Sequence, residues 1–284
     1  MISIEEMATF CKRRGFIYPN SEIYGGLSGF FDYGPLGVEI KNNIKKQWWK
    51  FHVHSRPDIV GIDGTIISNP KVWQASGHVN SFQDIMIECS NCHEKYRADQ
   101  FIEDQLKINA NTLSVKKINE LIKKHKLKCS KCNKQTLQEA IPFNLMFQTN
   151  IGPKKDKSSV AYLRPETAQL IFTNFKLVYE NSRLKLPFGI AQIGKAFRNE
   201  ISPRNFLFRS REFEQMEIEY FVHPKKRETC PYLTKEFLKH EILVYSQDMQ
   251  IDNLKPKKIV IDQALKNKII KNPWHAYWLA LEHK

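Results

Sequence analysis

Residues 191–222 read AQIGKAFRNEISPRNFLFRSREFEQMEIEYFV, and this stretch decides the fold. It begins apolar, passes through a polar segment around Pro203 and resumes as an extended, charge-rich run. Proline and polar residues between two such runs predict a turn, so the stretch is expected to form a β-hairpin. Side chains of a strand alternate between two faces. In the second strand, one face carries Arg211, Phe213, Gln215, Glu217 and Glu219, and the other carries Glu212, Glu214, Met216, Ile218 and Tyr220.

The first of these faces is a poor hydrophobic surface and a good ligand surface. An arginine can clamp a phosphate through two parallel hydrogen bonds, a phenylalanine ring can stack on a base, and a glutamate can hold an ammonium group. The alternative interpretation is a solvated hairpin whose charges only face water. The pattern favours a ligand-binding hairpin.

The hairpin resembles motif 2 of the class II aminoacyl-tRNA synthetases. That motif is an Arg-x-Glu, a loop, and then Arg-x-x-x-Phe-x-x-x-Glu. The matching positions are Arg198, Glu200, Arg209, Phe213 and Glu217. Within the class, the segments FRNEISPRNF and REFEQMEIEYF are similar to the glycyl-tRNA synthetases of the homodimeric type.

Composition agrees with a folded, nucleotide-binding protein. The chain has 284 residues, of which 42% are hydrophobic and 12% aromatic, which is enough for a core and one or two domains. Its formal net charge of +14 suits a polyanionic partner such as tRNA, although lysine-rich surfaces often serve only solvation. No apolar run reaches the ~18 residues of a membrane span, and the first residues do not resemble a signal peptide. We therefore expect a cytoplasmic protein without a membrane partner.

Four of the six cysteines form two Cys-x-x-Cys pairs, Cys89/Cys92 and Cys129/Cys132. Two such pairs can supply four thiolates to one structural Zn²⁺. The alternatives are four reduced cysteines without metal and, less favoured, a redox role. Between the pairs, residues 113–127 predict a lysine-rich helix. Its basic side chains would either contact tRNA or only face solvent.

The first 84 residues also carry patterns of the same family. Residues 3–14 predict a helix with a capping box, residues 38–53 a second helix, and residues 58–68 a strand that ends just before Pro70. A long helix, a strand and a terminal proline resemble class II motif 1, which builds the dimer interface in the family, but an ordinary core helix and strand would look alike. The segment NPKVWQASGHVNSFQD, residues 69–84, is also similar to the family.

Two further segments resemble parts of the family's amino-acid site. YRAD, residues 96–99, implies that Arg97 lies near the bound substrate, where otherwise a surface ion pair would be expected. YLRPETAQ, residues 162–169, implies that Glu166 contributes a carboxylate, although a helix N-terminus also favours an acidic residue there. Leu170 departs from the family, in which glycine is common at this position.

The resemblance implies ATP-dependent activation of glycine to glycyl-adenylate and transfer of the glycyl group to tRNA(Gly). ATP is a substrate, Mg²⁺ would bridge its phosphates, Zn²⁺ would be structural, and the chain would dimerise with itself through motif 1. The implied catalytic residues are Arg198 on the α-phosphate, Glu200 at the adenine end and Arg209 on the outer phosphates. The implied ATP-binding residues are Arg198, Asn199, Glu200, Phe208, Arg209, Ser210, Arg211, Glu212 and Phe213. The implied glycine-binding residues are Arg97, Glu166, Phe213, Glu214, Gln215, Met216 and Glu217; Glu166 and Glu217 would hold the ammonium group.

The expected fold class is α+β, an antiparallel sheet flanked by helices with a small zinc-knuckle and helical insertion. The expected division is residues 1–88 with motif 1, residues 89–140 as the insertion and residues 141–284 with motif 2. Motif 3 and an anticodon-binding domain would follow the last residue, so we expect a truncated or split catalytic portion and a sheet incomplete at its C-terminal end. A split enzyme would have a separate C-terminal half as a partner. Residues 231–247 and 274–284 predict helices.

Two other functions stay open. A non-catalytic synthetase-like protein would bind nucleic acid or a partner with the same fold, and the absence of motif 3 from the sequence favours it. The retention of Glu166, Arg198, Glu200, Phe213 and Glu217 speaks against it. A zinc-stabilised structural module is the third possibility, and it would not explain the hairpin.

Overall fold

The computed structural model describes residues 2–283, with only the backbone of Lys157. Helices form where apolar residues recur at helical spacing and where a side chain caps the first turn, as Ser3 does through a capping box with Glu6. The helices are α1 (Ile4–Arg13), α2 (Pro35–Trp49), α3 (Pro70–Ala75), α4 (His78–Ser81), α5 (Ala98–Leu106), α6 (Val115–Lys124), α7 (Ala168–Ser182), α8 (Lys235–Leu238), α9 (Gln247–Ile251), α10 (Ile261–Lys266) and α11 (Pro273–His283). A π-helical turn, Lys50–His54, continues α2.

Strands belong to several small sheets. They are β1 (Ile17–Pro19), β2 (Phe31–Tyr33), β3 (Ile59–Ile62), β4 (Ile67–Ser68), β5 (Gln83–Glu88), β6 (Lys95–Arg97), β7 (Ile141–Asn144), β8 (Gln148–Asn150), β9 (Val160–Leu163), β10 (Phe188–Phe197), β11 (Glu212–Phe221), β12 (Glu241–Val244) and β13 (Lys257–Val260). The sheet orders are β1-β2, β11-β10-β3, β4-β9-β8, β6-β5-β7 and β12-β13. The architecture is the mixed α/β one that the sequence predicts, with antiparallel pairing in most of these sheets.

The sheet β11-β10-β3 contains the predicted hairpin. Its β10–β3 pair is parallel, with Ile190 opposite Val60, so the sheet is not purely antiparallel. Strand β10 is buried along most of its length, because both of its faces carry mainly apolar or small residues. Gly194 has a particular reason to lack a side chain: a Cβ atom there would lie 2.1 Å from Nη2 of Arg164. The buried guanidinium of Arg164 thus takes the space beside β10.

The cysteine pairs lie in a subdomain built on β6-β5-β7 with α5 and α6. Phe101, Ile102 and Ile118 are almost completely buried in its own hydrophobic core, together with Cys89 and Cys129. The lysine-rich helix predicted between the pairs is confirmed as α6, which Ser114 caps. Its apolar side faces the core, since Ile118 is buried and lysines occupy exposed positions.

Two predicted elements are wrong or only partly right. The strand over residues 58–68 is divided into β3 and β4, which belong to different sheets, because Arg164 Nη1 donates to the Gly64 carbonyl at the break. The helix over residues 231–247 is reduced to α8, because Glu241–Val244 pairs with Lys257–Val260 instead. The helices predicted at residues 3–14 and 274–284 are confirmed as α1 and α11.

The chain divides into two compact units. One contains residues 1–183 and 189–219, and the other contains residues 184–188 and 220–284. The second unit has its own core around Ile242, Ile261 and Ala276. This division differs from the three parts expected from the sequence, which stay a prediction. Between residues 2 and 283, no helix has both the length and the apolar character required to cross a bilayer.

Candidate functional site

The two faces of β11 are separated as the sequence predicts. On one face, the Arg198 guanidinium lies over the Phe213 ring, and Glu217 accepts a hydrogen bond from Thr167. On the other face, Glu212 pairs with Lys195 of β10, and Glu214 pairs with lysines of α2. We call these the ligand face and the helix face of β11.

The cationic part of the ligand face is centred on Arg198, which follows β10. Its guanidinium carbon lies 5.2 Å from the centroid of Phe213 and 5.5 Å from that of Phe82. Its Nε donates to the carbonyl of Pro165 at 3.1 Å. The two rings and the carbonyl fix the guanidinium plane, and the remaining N–H groups can bind an anion.

The anionic part lies where α7 begins. The Thr167 backbone N–H donates to Gln215 Oε1 at 3.2 Å, and its hydroxyl donates to Glu217 Oε2. Beside it, Glu166 Oε1 is 3.4 Å from Nε2 of His78. Burial raises the pKa of Glu219, and the negative charges of Glu217 and Glu166 raise it further. A cluster of carboxylates in a half-buried place favours the binding of a cation such as an ammonium group.

A second arginine and its partners complete the ligand side. Arg209 donates from Nε to Glu200 Oε2 at 2.8 Å, and its Nη2 lies 3.7 Å from Asp84. Arg97 lies 3.3 Å from the same Asp84 oxygen and forms a close pair with Asp99. The predicted glycine-binding Arg97 and the predicted ATP-binding Arg209 therefore share one carboxylate.

Several predicted site residues lie elsewhere. Glu212, Glu214 and Met216 line a cavity of ≈ 260 Å³ on the helix face, together with Ser210 and Lys41. Phe213 also lines this cavity, but Glu166 and Glu217 do not, so the cavity brings Glu214 and Met216 to Phe213 and not to the two predicted ammonium-binding carboxylates.

Three other predicted ATP-binding residues have distinct surroundings. Arg211 donates from Nε and Nη2 to the Glu200 carbonyl, at 3.0 and 2.8 Å, and so stabilises the turn. Asn199 donates its backbone N–H to the Leu145 carbonyl. Phe208 is 88% exposed at the tip of the hairpin. For these three residues, a contact with ATP stays a prediction.

The four cysteines of the two pairs converge. Their Sγ atoms all lie within 4.8 Å of one another, with Cys89–Cys132 at 3.7 Å and Cys92–Cys129 at 3.5 Å. Four thiolates around a tetrahedral Zn²⁺ with Zn–S bonds of about 2.3 Å stand about 3.8 Å apart. A hydrogen bond with the Thr136 hydroxyl lowers the pKa of Cys89, whereas desolvation and the neighbouring sulfurs raise the pKa of Cys92, so without a metal the four sulfurs favour a shared thiolate and not four of them. The residues fit a structural metal centre.

Four residues of the ligand side were not predicted from the sequence. They are His78, Phe82, Asp84 and Thr167, and each acts by contacting a predicted residue. The only signal for them was that they belong to the quoted segments at residues 69–84 and 162–169.

Comparison with known proteins identifies the family of the chain. Residues 147–260 match the family described as tRNA synthetase class II core domain (G, H, P, S and T). That range includes Arg198, Phe213 and Glu217. The chain belongs to the class II tRNA synthetases.

Within that class, the relatives are glycine–tRNA ligases. The one from Caldanaerobacter subterraneus subsp. tengcongensis is 52% identical over 228 residues, which are 78% of this chain and 50% of that protein. The one from Mycoplasma mycoides subsp. mycoides SC is 47% identical over 263 residues, 92% of this chain and 55% of that protein. The chain thus spans about half the length of the curated relatives that it matches.

A solved structure is also similar. The RNA-binding domain of threonyl-tRNA synthetase from Cryptosporidium parvum Iowa II has a TM-score of 0.47 and 13% identity, covering 93% of this chain and 51% of that one. A score of this size supports no statement about the site.

Proposed function

We propose that this chain provides the glycine-activating site of a glycine–tRNA ligase. The reaction has two steps: the carboxylate of glycine attacks the α-phosphate of ATP to give glycyl-adenylate and pyrophosphate, and the glycyl group then passes to the 3′-terminal ribose of tRNA(Gly). Such transfers depend on positioning and charge neutralisation more than on a side-chain nucleophile.

One observation carries the proposal: residues 165–167 contact both parts of the ligand face. The Pro165 carbonyl accepts from Arg198, and Thr167 holds Glu217. A site that joins the carboxylate of an amino acid to a phosphate needs an anionic part for the ammonium group and a cationic part for the phosphate within one small molecule's reach. Residues 165–167 bring these parts together.

The cationic part would bind the nucleotide. Arg198 would neutralise the charge that develops on the α-phosphate, while Phe213 stacks on adenine and also supports the guanidinium. Arg209, held by Glu200, would bind the outer phosphates together with Mg²⁺. These roles depend on charge and orientation, and no residue forms a covalent intermediate.

The anionic part would select glycine. Glycine has no side chain to grip, so the site must hold its ammonium group and exclude larger amino acids. Glu166 and Glu217 supply the negative charge, and Thr167 fixes one oxygen of Glu217 so that the other stays available.

The test is glycine-dependent ATP–pyrophosphate exchange by the purified protein, with serine and alanine as competing substrates. We expect exchange with glycine and not with the other two, and loss of exchange in Arg198→Ala. Exchange without preference for glycine would overturn the proposal.

The alternative is a non-catalytic protein that uses the same surface to bind nucleic acid or a partner. Its support is the exposed aromatic and basic hairpin tip, where Phe208 and Arg204 face solvent. A folded sample that binds tRNA and catalyses no exchange would favour this alternative.

The cysteine cluster supports a proposal of a structural Zn²⁺. Cys89, Cys92, Cys129 and Cys132 would be its four ligands, and the ion would link the two turns that carry them. We expect one zinc per chain by elemental analysis and less than half of that in Cys129→Ser. Zinc retained in full by this variant would contradict the assignment.

We further propose a homodimer and contact with tRNA. Leu36, Ile40 and Ile44 lie four residues apart along α2 and are about half exposed, at 51%, 50% and 53%. An apolar stripe of this kind is suited to a second copy. Sedimentation should give a dimer that Ile40→Glu dissociates. Lysines of α6 would contact tRNA, and a cytoplasmic location stays a prediction from the sequence.

A further inference from the structure

Asp84 lies on β5, opposite Phe143 of β7, and none of the site roles above depends on it. Its side chain is only 16% exposed, and it ends the family-like segment at residues 69–84 without a predicted role of its own. Its oxygen Oδ2 is buried without a hydrogen bond from the described residues. A buried carboxylate oxygen requires a compensating charge, so the groups around it decide its role.

Two cations face that single oxygen. Oδ2 of Asp84 is 3.3 Å from Nη1 of Arg97 and 3.7 Å from Nη2 of Arg209. These arginines come from different segments, since Arg97 ends β6 and Arg209 lies in the loop of the hairpin, ahead of β11. One carboxylate therefore joins the cysteine subdomain to the hairpin.

Each arginine also has a carboxylate of its own. Arg97 donates from Nε to both oxygens of Asp99, at 2.8 and 2.9 Å. Arg209 donates from Nε to Glu200 at 2.8 Å. The five groups form a chain of alternating charge with Asp84 at its centre.

The central position makes Asp84 the shared partner. Burial raises the pKa of Asp84, and the positive charge of Arg97 is the largest effect that opposes this rise. Without the negative charge of Asp84, two guanidinium groups would share no anion and would repel each other in a half-buried place. Among the described residues, the Asp99 and Glu200 carboxylates each form a close ion pair with one arginine, Arg97 and Arg209 respectively.

We propose that Asp84 is a positioning residue that holds Arg97 and Arg209 as a pair and so couples the glycine part of the site to its nucleotide part. The inference rests on the proposed function for the identity of the two ligands. When Arg97 is disturbed, Asp84 moves toward Arg209 and changes how that arginine meets a phosphate. By the same reasoning, a change at Arg209 alters the position of Arg97 through Asp84.

The kinetic test compares substitutions with matched effects on charge. Asp84→Asn is expected to raise KM for both glycine and ATP about 10-fold in the exchange reaction. Asp99→Asn, the one-sided control, is expected to raise KM for glycine and to leave KM for ATP within a factor of about two. Equal behaviour of the two variants would overturn the inference.

A second substitution isolates the coupling. Arg97→Lys should raise KM for ATP about 3-fold while Asp84 is present, and should have no effect on that KM in the Asp84→Asn background. A merely structural role of Asp84 would not make the effect of Arg97→Lys depend on it. Persistence of the effect in the Asp84→Asn background would contradict the coupling.

An NMR experiment separates this inference from the proposed function. The Nε–H resonances of Arg97 and Arg209 report their ion pairs without any substrate. Arg97→Lys should shift the Arg209 resonance, and Asp84→Asn should abolish that shift. If exchange is absent and the shift is found, the proposed function fails and the coupling stands; if exchange is present and no shift is found, the coupling fails.

Discussion

Both faces of β11 carry glutamates, but the charged groups around these glutamates differ between the two faces. On the helix face, Glu214 lies 2.6 Å from Lys45 and 3.3 Å from Lys41 of α2. Burial acts to raise the pKa of Glu214, but the two lysines outweigh it and lower the pKa. On the ligand face, burial raises the pKa of Glu219, and the groups that add to the rise are other carboxylates.

This difference separates structural from functional charge on one strand. The protein neutralises the helix face with its own lysines, so nothing else needs to bind there. It leaves the anionic part of the ligand face, around Glu166, Glu217 and Glu219, negative, which costs stability and favours an external cation. The contrast can be tested one glutamate at a time.

The largest effect is expected from Glu217→Gln on the ligand face. Loss of a charged hydrogen bond to the ammonium group should lower kcat/KM for glycine about 100-fold in pyrophosphate exchange. Circular dichroism should show unchanged folding, and the Kd of a non-hydrolysable ATP analogue should stay within a factor of about two. An equal loss of nucleotide binding would break the assignment of Glu217 to the ammonium group.

The next effect concerns the residue that orients Glu217. Thr167→Val removes the hydroxyl donor and should lower kcat/KM for glycine about 10-fold, whereas Thr167→Ser should restore most of it. Thr173→Val on the same helix is the matched control, since Thr173 is exposed and its hydroxyl only donates to the Leu170 carbonyl at 3.3 Å. Failure of serine to rescue would mean that packing, not the hydroxyl, matters.

A smaller effect should appear in the pH dependence. As the pH falls through the raised pKa of Glu219, this group takes up a proton and the ligand face loses negative charge. KM for glycine should therefore rise at low pH, by about 3-fold more in the wild type than in Glu219→Gln. Identical profiles of KM against pH would remove Glu219 from the site.

The same pKa has a consequence for stability. A raised pKa in the folded state means that the folded protein binds this proton more tightly than the unfolded chain does. The contribution to stability is present at low pH and is lost as the pH rises through the raised value. Glu219→Gln should accordingly increase Tm at neutral pH.

The smallest effect on activity is expected on the helix face. Glu214→Gln should leave KM for glycine within a factor of about two and should lower the free energy of unfolding by about 1 kcal/mol. Because the pKa of Glu214 is lowered, its contribution to stability is present at neutral pH and is lost as the pH falls through the lowered value. A large rise in KM for glycine would instead support the sequence-based prediction that Glu214 binds the substrate.

The alternation of β11 was predictable because a strand has a period of two, and the sequence alone separates Glu217 from Glu214. The lysine partners of Glu214 were not predictable, and the assignment of Glu214 and Met216 to glycine together with Glu217 stays a prediction. The lysines that neutralise Glu214 lie about 170 positions earlier in the chain, and no local sequence pattern indicates an ion pair between residues so far apart.

Long-range pairing also explains the errors in secondary structure. Residues 231–247 have apolar residues at helical spacing, but Ile242 pairs with Ile259 of β13 and forms a strand. Local spacing cannot reveal a partner strand. Asp84 was missed for a similar reason, because its significance comes from Arg97 and Arg209 on two other segments.

The contact of residues 165–167 with both Arg198 and Glu217 has a consequence for inhibition. This short segment leads directly into α7, so a rigid shift of that helix would disturb the contacts of the groups proposed to bind the phosphate and the ammonium group at the same time. A small molecule that wedged the start of α7 away from β11 would disable both halves of the site without resembling either substrate. A resistant variant would need substitutions that block the molecule and still preserve both the contact of Pro165 with Arg198 and that of Thr167 with Glu217.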